Sequence, residues 1–218
     1  MANRFITGSA LVLRVRASGE SNREAFFLTA ERGLIRATVY GGPKSRLRSY
    51  VAPFHSGILY LYHDPVRDSY KVSDFDVASW RPGIREVYER TVRAGAICET
   101  ILAGHGGGSD WSDALRLANL SFDAMEIADA PCSRRIALHF LWNWAELLGV
   151  RPDLDADELH LNIKNPGALR WLRVVENLDP ALLTRYTLDD ISLQYAQTLC
   201  IEILASALGR RLASWRDI

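Results

Sequence analysis

Along the first 80 residues apolar and polar positions alternate, whereas after Arg81 apolar side chains recur every three to four positions. Alternation is the signature of a half-buried strand and the longer period that of a helix packed on one side. Five alternating stretches stand out: Ala10–Arg16, Ala25–Ala30, Leu34–Tyr40, Ser56–Tyr62 and Ser69–Val77. In the first, Leu11, Leu13 and Val15 are expected on one face and Val12, Arg14 and Arg16 on the other. In the third, Ile35, Ala37 and Val39 are expected to face a core and Arg36, Thr38 and Tyr40 to face out. Turn-rich segments separate them, among them Ser18-Gly19-Glu20-Ser21-Asn22, Glu31-Arg32-Gly33 and His63-Asp64-Pro65. Five short strands so closely spaced predict a small closed or nearly closed barrel, which in its five-stranded form is the OB-fold.

Arg81-Pro82-Gly83 marks the change of period. The spacing then predicts helices over Ile84–Ala103, from an Asp110 cap through Trp111, Leu115, Ala118, Phe122 and Met125, and from Pro131 to a Gly149 stop. A shorter helix is expected over Gly167–Val175, and a last one opened by Thr187-Leu188-Asp189-Asp190 as a capping box and closed at Gly209. The expected class is α+β: residues 1–80 a small OB-fold barrel, residues 81–218 an all-helical domain.

Formal net charge is zero over 218 residues, but the charge is unevenly spread. Residues 1–50 hold nine Lys and Arg against three Glu, a net of +6 that the remainder cancels. Arg36, Tyr40, Lys44, Arg46 and Arg48 fall on or after the third strand around Gly41-Gly42-Pro43, with no acid in the chain between Glu31 and Asp64. Outward Arg, outward Tyr and a basic loop suit a phosphate backbone and unstacked bases; the plain alternative is a solvated loop. Three widely separated cysteines, Cys98, Cys132 and Cys200, support neither a disulfide framework nor a CxxC metal site and read as buried helix residues. The N-terminus lacks the apolar core of a signal peptide and no apolar run approaches 18 residues, so a cytoplasmic protein is expected.

Motifs for catalysis or cofactors fail on inspection. His105-Gly106-Gly107-Gly108 imitates an esterase oxyanion loop, but no G-x-S-x-G accompanies it. Gly42-Pro43-Lys44-Ser45 ends like a phosphate loop whose earlier glycines are missing. Asp153, Asp155 and Asp157 begin a calcium-type loop that has Glu158 where Gly is needed and Lys164 where Glu is needed. His139 sits among apolar neighbours and reads as a core residue. A protein that is not an enzyme and uses no cofactor is expected.

The order of these pieces resembles the DNA recombination and repair protein RecO family. The resemblance rests on Val12-Leu13-Arg14-Val15-Arg16 with Gly19–Arg23, Leu28-Thr29, Glu31-x-Gly33-Leu34-Ile35, and the basic loop through Lys44-Ser45-Arg46. Pro53-Phe54, Leu59–Tyr62 and Pro82–Arg85 follow in order, then Leu147-Leu148-Gly149-x-x-Pro152-Asp153-Leu154-Asp155, Gly167–Arg170 and Leu208–Leu212-x-Ser214. It implies a recombinational repair mediator that binds single- and double-stranded DNA and anneals complementary strands. Implied partners are RecR, the acidic C-terminal tail of single-strand-binding protein and, indirectly, the RecA recombinase, in a nucleoid-associated setting. On this chain the resemblance makes Arg14, Arg16, Arg36, Lys44, Arg46 and Arg48 phosphate contacts and Tyr40, with Tyr60 or Tyr62, stacking residues. Arg170, Arg173, Arg210 and Arg211 become candidates for the acidic tail. Many family members carry a four-ligand zinc site where this chain reads Ala156–His160 without cysteine, so a zinc-less member is expected. An OB-fold scaffold, or an RNA-binding protein, is the alternative function.

Overall fold

The computed structural model describes residues 4–42, 44–104, 111–154 and 165–216. The expectations placed on Pro43, on His105–Gly108, on the Asp110 cap and on the acidic segment 155–164, where the zinc site would stand, lie outside the described residues. The chain divides into two compact units, Met1–Arg81 with Ser109–Leu115, and Pro82–Gly108 with Arg116–Ile218.

The first unit is a closed five-stranded barrel with strand order β1-β2-β3-β5-β4. Its strands are β1 (Phe5–Ser18), β2 (Asn22–Thr29), β3 (Gly33–Val39), β4 (Ser56–Asp64) and β5 (Ser69–Ser79). This is the OB-type barrel that the alternation predicted. All neighbours are antiparallel except β3 and β5, whose parallel pairing at Ala37–Tyr70 and Thr38–Lys71 closes the ring. The interior is filled by Ala10, Val12, Ala25, Phe27, Ile35, Ala37, Val39, Leu59, Leu61, Val72 and Phe75, with the rings of Phe27 and Phe75 meeting edge to face at 6.1 Å.

β1 runs well beyond the expected stretch because it is paired along both edges, Phe5–Leu11 with β4 and Ala10–Ser18 with β2. The pairing with β2 shifts between Val12 and Arg14, leaving Leu13 as an extra, bulged residue. The bulge reverses the phase. Ala10 and Val12 point inward before it and Val15 after it, so the single face expected for Leu11, Leu13 and Val15 is not formed. Arg14 and Arg16 nevertheless point outward, because they follow the bulge. The segment after the basic stretch braces this point: Val12 N–H donates to the His55 carbonyl and Phe54 N–H to the Val12 carbonyl, both at 2.9 Å. The buried Arg81 guanidinium donates to the Phe54 carbonyl at 2.7 Å.

The second unit holds α2 (Pro82–Glu86), α3 (Tyr88–Ala103), the part of α4 (Trp111–Ile127) from Arg116 onward, α5 (Ala130–Leu147), α6 (Pro166–Val175) and α7 (Asp190–Leu208), with short 3-10 turns at Pro180–Arg185 and Ala213–Trp215. α5 is its centre: Ile136, Phe140, Leu141, Trp142 and Trp144 are fully buried, and Phe140 stacks on Trp144 at 5.4 Å. Side-chain caps define the starts of α5, α6 and α7. Asp129 accepts from Cys132 N–H, Asn165 from Ala168 N–H and Asp189 from Ser192 N–H. Asp189 therefore caps α7 in place of the expected Thr187, and Gly209, at φ 61°, ends it in a left-handed turn. By length and composition α7 could cross a membrane; Leu193, Ala196, Cys200 and Leu204 on it are buried within the helical unit. The three cysteines are buried and free.

Two measurements test this packing. A Cβ added at Gly57 would overlap the Asp76 carbonyl across the β4–β5 ladder, where the backbones approach most closely. Gly57→Ala is expected to cost about 3 kcal/mol of stability, read as a drop in the urea midpoint. His139 is buried, its Nε2 2.9 Å from the Leu178 carbonyl, and burial lowers its pKa to about 4. An unfolded His binds its proton near pH 6.5, so the folded state takes up fewer protons and loses stability as pH falls from about 6.5 to about 4. Urea melts of His139→Gln and the parent should show that this part of the pH dependence, about 3 kcal/mol at most, is missing from the variant.

Candidate nucleic-acid interface

The barrel's register arranges its outward side chains into a belt. Starting at Phe5, the pairing runs to Tyr62 on β4, Lys71 on β5, Thr38 on β3, Glu24 on β2 and back to β1 at Arg16. The circuit returns to β1 eleven residues further on, the stagger that closing a tilted barrel demands. A second, shorter row beside it is Arg14–Phe26–Arg36. The belt thus has an aromatic half and a guanidinium half.

In the aromatic half Phe5 is 64% exposed and meets Tyr62 edge to face at 5.6 Å. The Lys71 ammonium lies 5.8 Å from the Tyr62 ring and 5.9 Å from that of Tyr40, so one cation serves two aromatic faces. Arg4 donates to the Tyr62 hydroxyl at 3.4 Å. Tyr40, just beyond β3, is 48% exposed. Tyr62 and Tyr40 therefore stand among cations, as a nucleobase platform requires. Tyr60 does not. It pairs with Asp74 across the ladder and donates to Asp76 at 3.1 Å, a bond that raises its pKa.

In the guanidinium half the predicted cations are already engaged. Arg16 forms an ion pair with Glu24 while stacking at 5.3 Å over Phe26, and Arg36 reaches the other oxygen of the same carboxylate at 3.4 Å. The basic loop is also reshaped. Residues Arg46–Tyr50 form a single helical turn, α1, in place of a flexible run. Arg46 lies over the Tyr50 ring at 5.1 Å and donates to both oxygens of Asp74, at 3.0 and 3.2 Å. The acid missing from the chain between Glu31 and Asp64 is thus supplied in space by β5. The half-buried Arg23 pins α1 by donating to the Arg48 carbonyl at 3.1 Å. Among the described residues Arg14, Lys44 and Arg48 carry no side-chain ion pair, and Arg14 and Lys44 are exposed.

Sequence reasoning missed Arg4, Phe5 and Lys71. Phe5 and Arg4 precede the stretch where alternation is clear. Lys71 joins Tyr40 and Tyr62 only through the β3–β5 closure and the β4 register, which no local pattern encodes.

The helical unit separates the other four candidates. Arg173 on α6 donates to the Leu154 carbonyl at 3.3 Å and lines an open recess of about 400 Å³ with Arg151, Glu146, Asp153 and Glu176. Arg151 is paired there with Glu146 at 3.1 Å. With three acids against two arginines, the recess lacks the charge to favour an acidic peptide. Arg170 is exposed on the same helix, whose cap Asn165 is tied to Ser192 at the start of α7. Arg210 and Arg211 follow the other end of α7, about 26 Å along its axis from Ser192. No described bond or ion pair joins the two groups.

The barrel coincides with a known family. Residues 1–80 match the family model described as Recombination protein O N terminal. Over those residues the chain is similar to the RecO N-terminal domain. No curated protein matches the chain. The belt described above therefore lies wholly within the matched residues, and a role in recombination and repair of DNA follows for it at that level.

Proposed function

We propose that this chain is a non-enzymatic mediator of recombinational DNA repair whose RecO-type barrel binds DNA strands without reading their sequence. The observation that carries the proposal is the coincidence of the family match with a barrel face on which Lys71 and Arg4 lie against Phe5, Tyr62 and Tyr40, while Arg14 and Lys44 stay exposed elsewhere on the barrel. Aromatic rings accept any base, for about 1–3 kcal/mol each, and cations beside them take the phosphates. A strand on such a face keeps its hydrogen-bonding edges free. Two strands so screened repel each other less, and complementary pairing then completes annealing. The family match of the barrel further supports work alongside RecR, with strands coated by single-strand-binding protein, ahead of RecA loading. The acidic tail of that protein would be received by Arg210 with Arg211 beyond α7 rather than at the acid-lined recess of Arg173.

The test is a fluorescence titration of a single-stranded DNA at several salt concentrations. Replacing Arg14, Lys44 and Lys71 together by Ala should flatten the log–log salt slope by about 2, at about 0.7 per lost phosphate contact. Tyr62→Ala should weaken binding by about 1–3 kcal/mol with the salt slope retained. Absence of binding by the parent protein at low salt would refute the proposal, and a tighter fit to RNA of the same sequence would move its substrate to RNA.

A further inference from the structure

Glu24 is the only acidic residue within β1, β2 and β3; on β2 it faces Arg16 of β1 directly, and Arg36 of β3, which pairs with Phe26, reaches it diagonally. Its side chain is 17% exposed, whereas those of Arg16 and Arg36 are 57% and 66% exposed. The carboxylate therefore lies beneath two guanidiniums that spread above it. A carboxylate and a phosphate present the same paired oxygens to a guanidinium fork. We propose that Glu24 is a built-in competitor for phosphate, one that holds the two arginines when the face is empty and limits how tightly it grips a nucleic-acid strand.

This inference rests on the DNA-binding reading and deepens it. With Glu24 present, Arg16 and Arg36 offer the strand a net charge of +1 instead of +2, and each must give up or share an acceptor to take a phosphate. The two guanidiniums themselves are largely solvent-exposed, so they can turn to a phosphate without being pulled from a core. For a surface that brings strands together, the effect is useful. The strand is held by its bases on the aromatic half and only loosely by its phosphates on the other, so it can be released once paired. Asp74 stands in the same relation to Arg46, gripping it through both oxygens.

The experiment titrates a fluorescent oligo-thymidine with the full chain, with Glu24→Gln and with Glu20→Gln, over a range of salt. Glu20 lies exposed in the β1–β2 turn, so its variant changes net charge equally without freeing an arginine. Glu24→Gln is expected to bind about 3- to 10-fold tighter at low salt, with a log–log salt slope steeper by about 0.7 to 1.4, one or two phosphates' worth. Glu20→Gln should stay within about twofold of the parent, as a distant exposed charge is screened. If Glu24→Gln does not fold, Asp74→Asn, which frees Arg46, should show the same direction of change. A parent that binds while Glu24→Gln gains no more than Glu20→Gln overturns this inference alone. A parent that does not bind at all overturns the DNA reading and this inference with it.

Discussion

A closed barrel has no edge, so β1 must pair with two strands at once, and most of the first unit follows from how it does so. Its early half serves β4 and its late half β2, and the sheet has to coil sharply where the two pairings overlap at Ala10 and Leu11. The bulge at Leu13 supplies the coil and changes which side chains face inward. Phe54 and His55 hold the same point from outside, through their bonds to Val12. Gly57 lets β4 approach β5 more closely than any side chain would permit. Every outward residue of the belt occupies its position because this register is enforced.

What the belt can do depends on how its charges are distributed in space. An exposed ion pair contributes about 0–1 kcal/mol, so the Arg46–Asp74 pair does little for folding. The influence of Glu24 and Asp74 is on the outside world. Three of the basic residues on this side of the barrel spend their strongest donors on internal carboxylates, while Arg14 and Lys44 stay open to solvent. On the opposite half, cations are interleaved with Phe5, Tyr62 and Tyr40, where they reinforce stacking surfaces instead of neutralising acids. The barrel thus offers two different grips, one for bases and one for phosphates.

The helical unit works by different means. α5 carries its largest buried side chains, and Arg90 on α3 ties α2 to the end of α4 by donating to the carbonyls of Gly83, Glu126 and Ala128. Among the described residues the indole N–H groups of Trp142, Trp144 and Trp171 and Nδ1 of His139 are buried without a partner, so part of the apolar gain in this core offsets these polar groups. Its arginine candidates are divided between α6 and the segment beyond Gly209.

By itself the sequence determined the barrel followed by helices, the inward set of β3, the outward Arg36 and Tyr40, and the buried place of His139 and the cysteines. These depend on periodicity and local turn chemistry, which act within a few residues. The starts of α5, α6 and α7 were legible to within a residue or two, because Asp and Asn caps bond to nearby backbone N–H groups, whereas the break between α2 and α3 at Val87 was not. The phase of β1, the helical turn at Arg46–Tyr50, and the union of Lys71 with Tyr40 and Tyr62 were decided only in the tertiary structure. So was the ownership of Arg16, Arg36 and Arg46 by carboxylates 8, 12 and 28 residues away in the chain. Those features come from register across a closed sheet, where one bulge or one parallel pairing sets the neighbour of every side chain, and no local pattern carries that information.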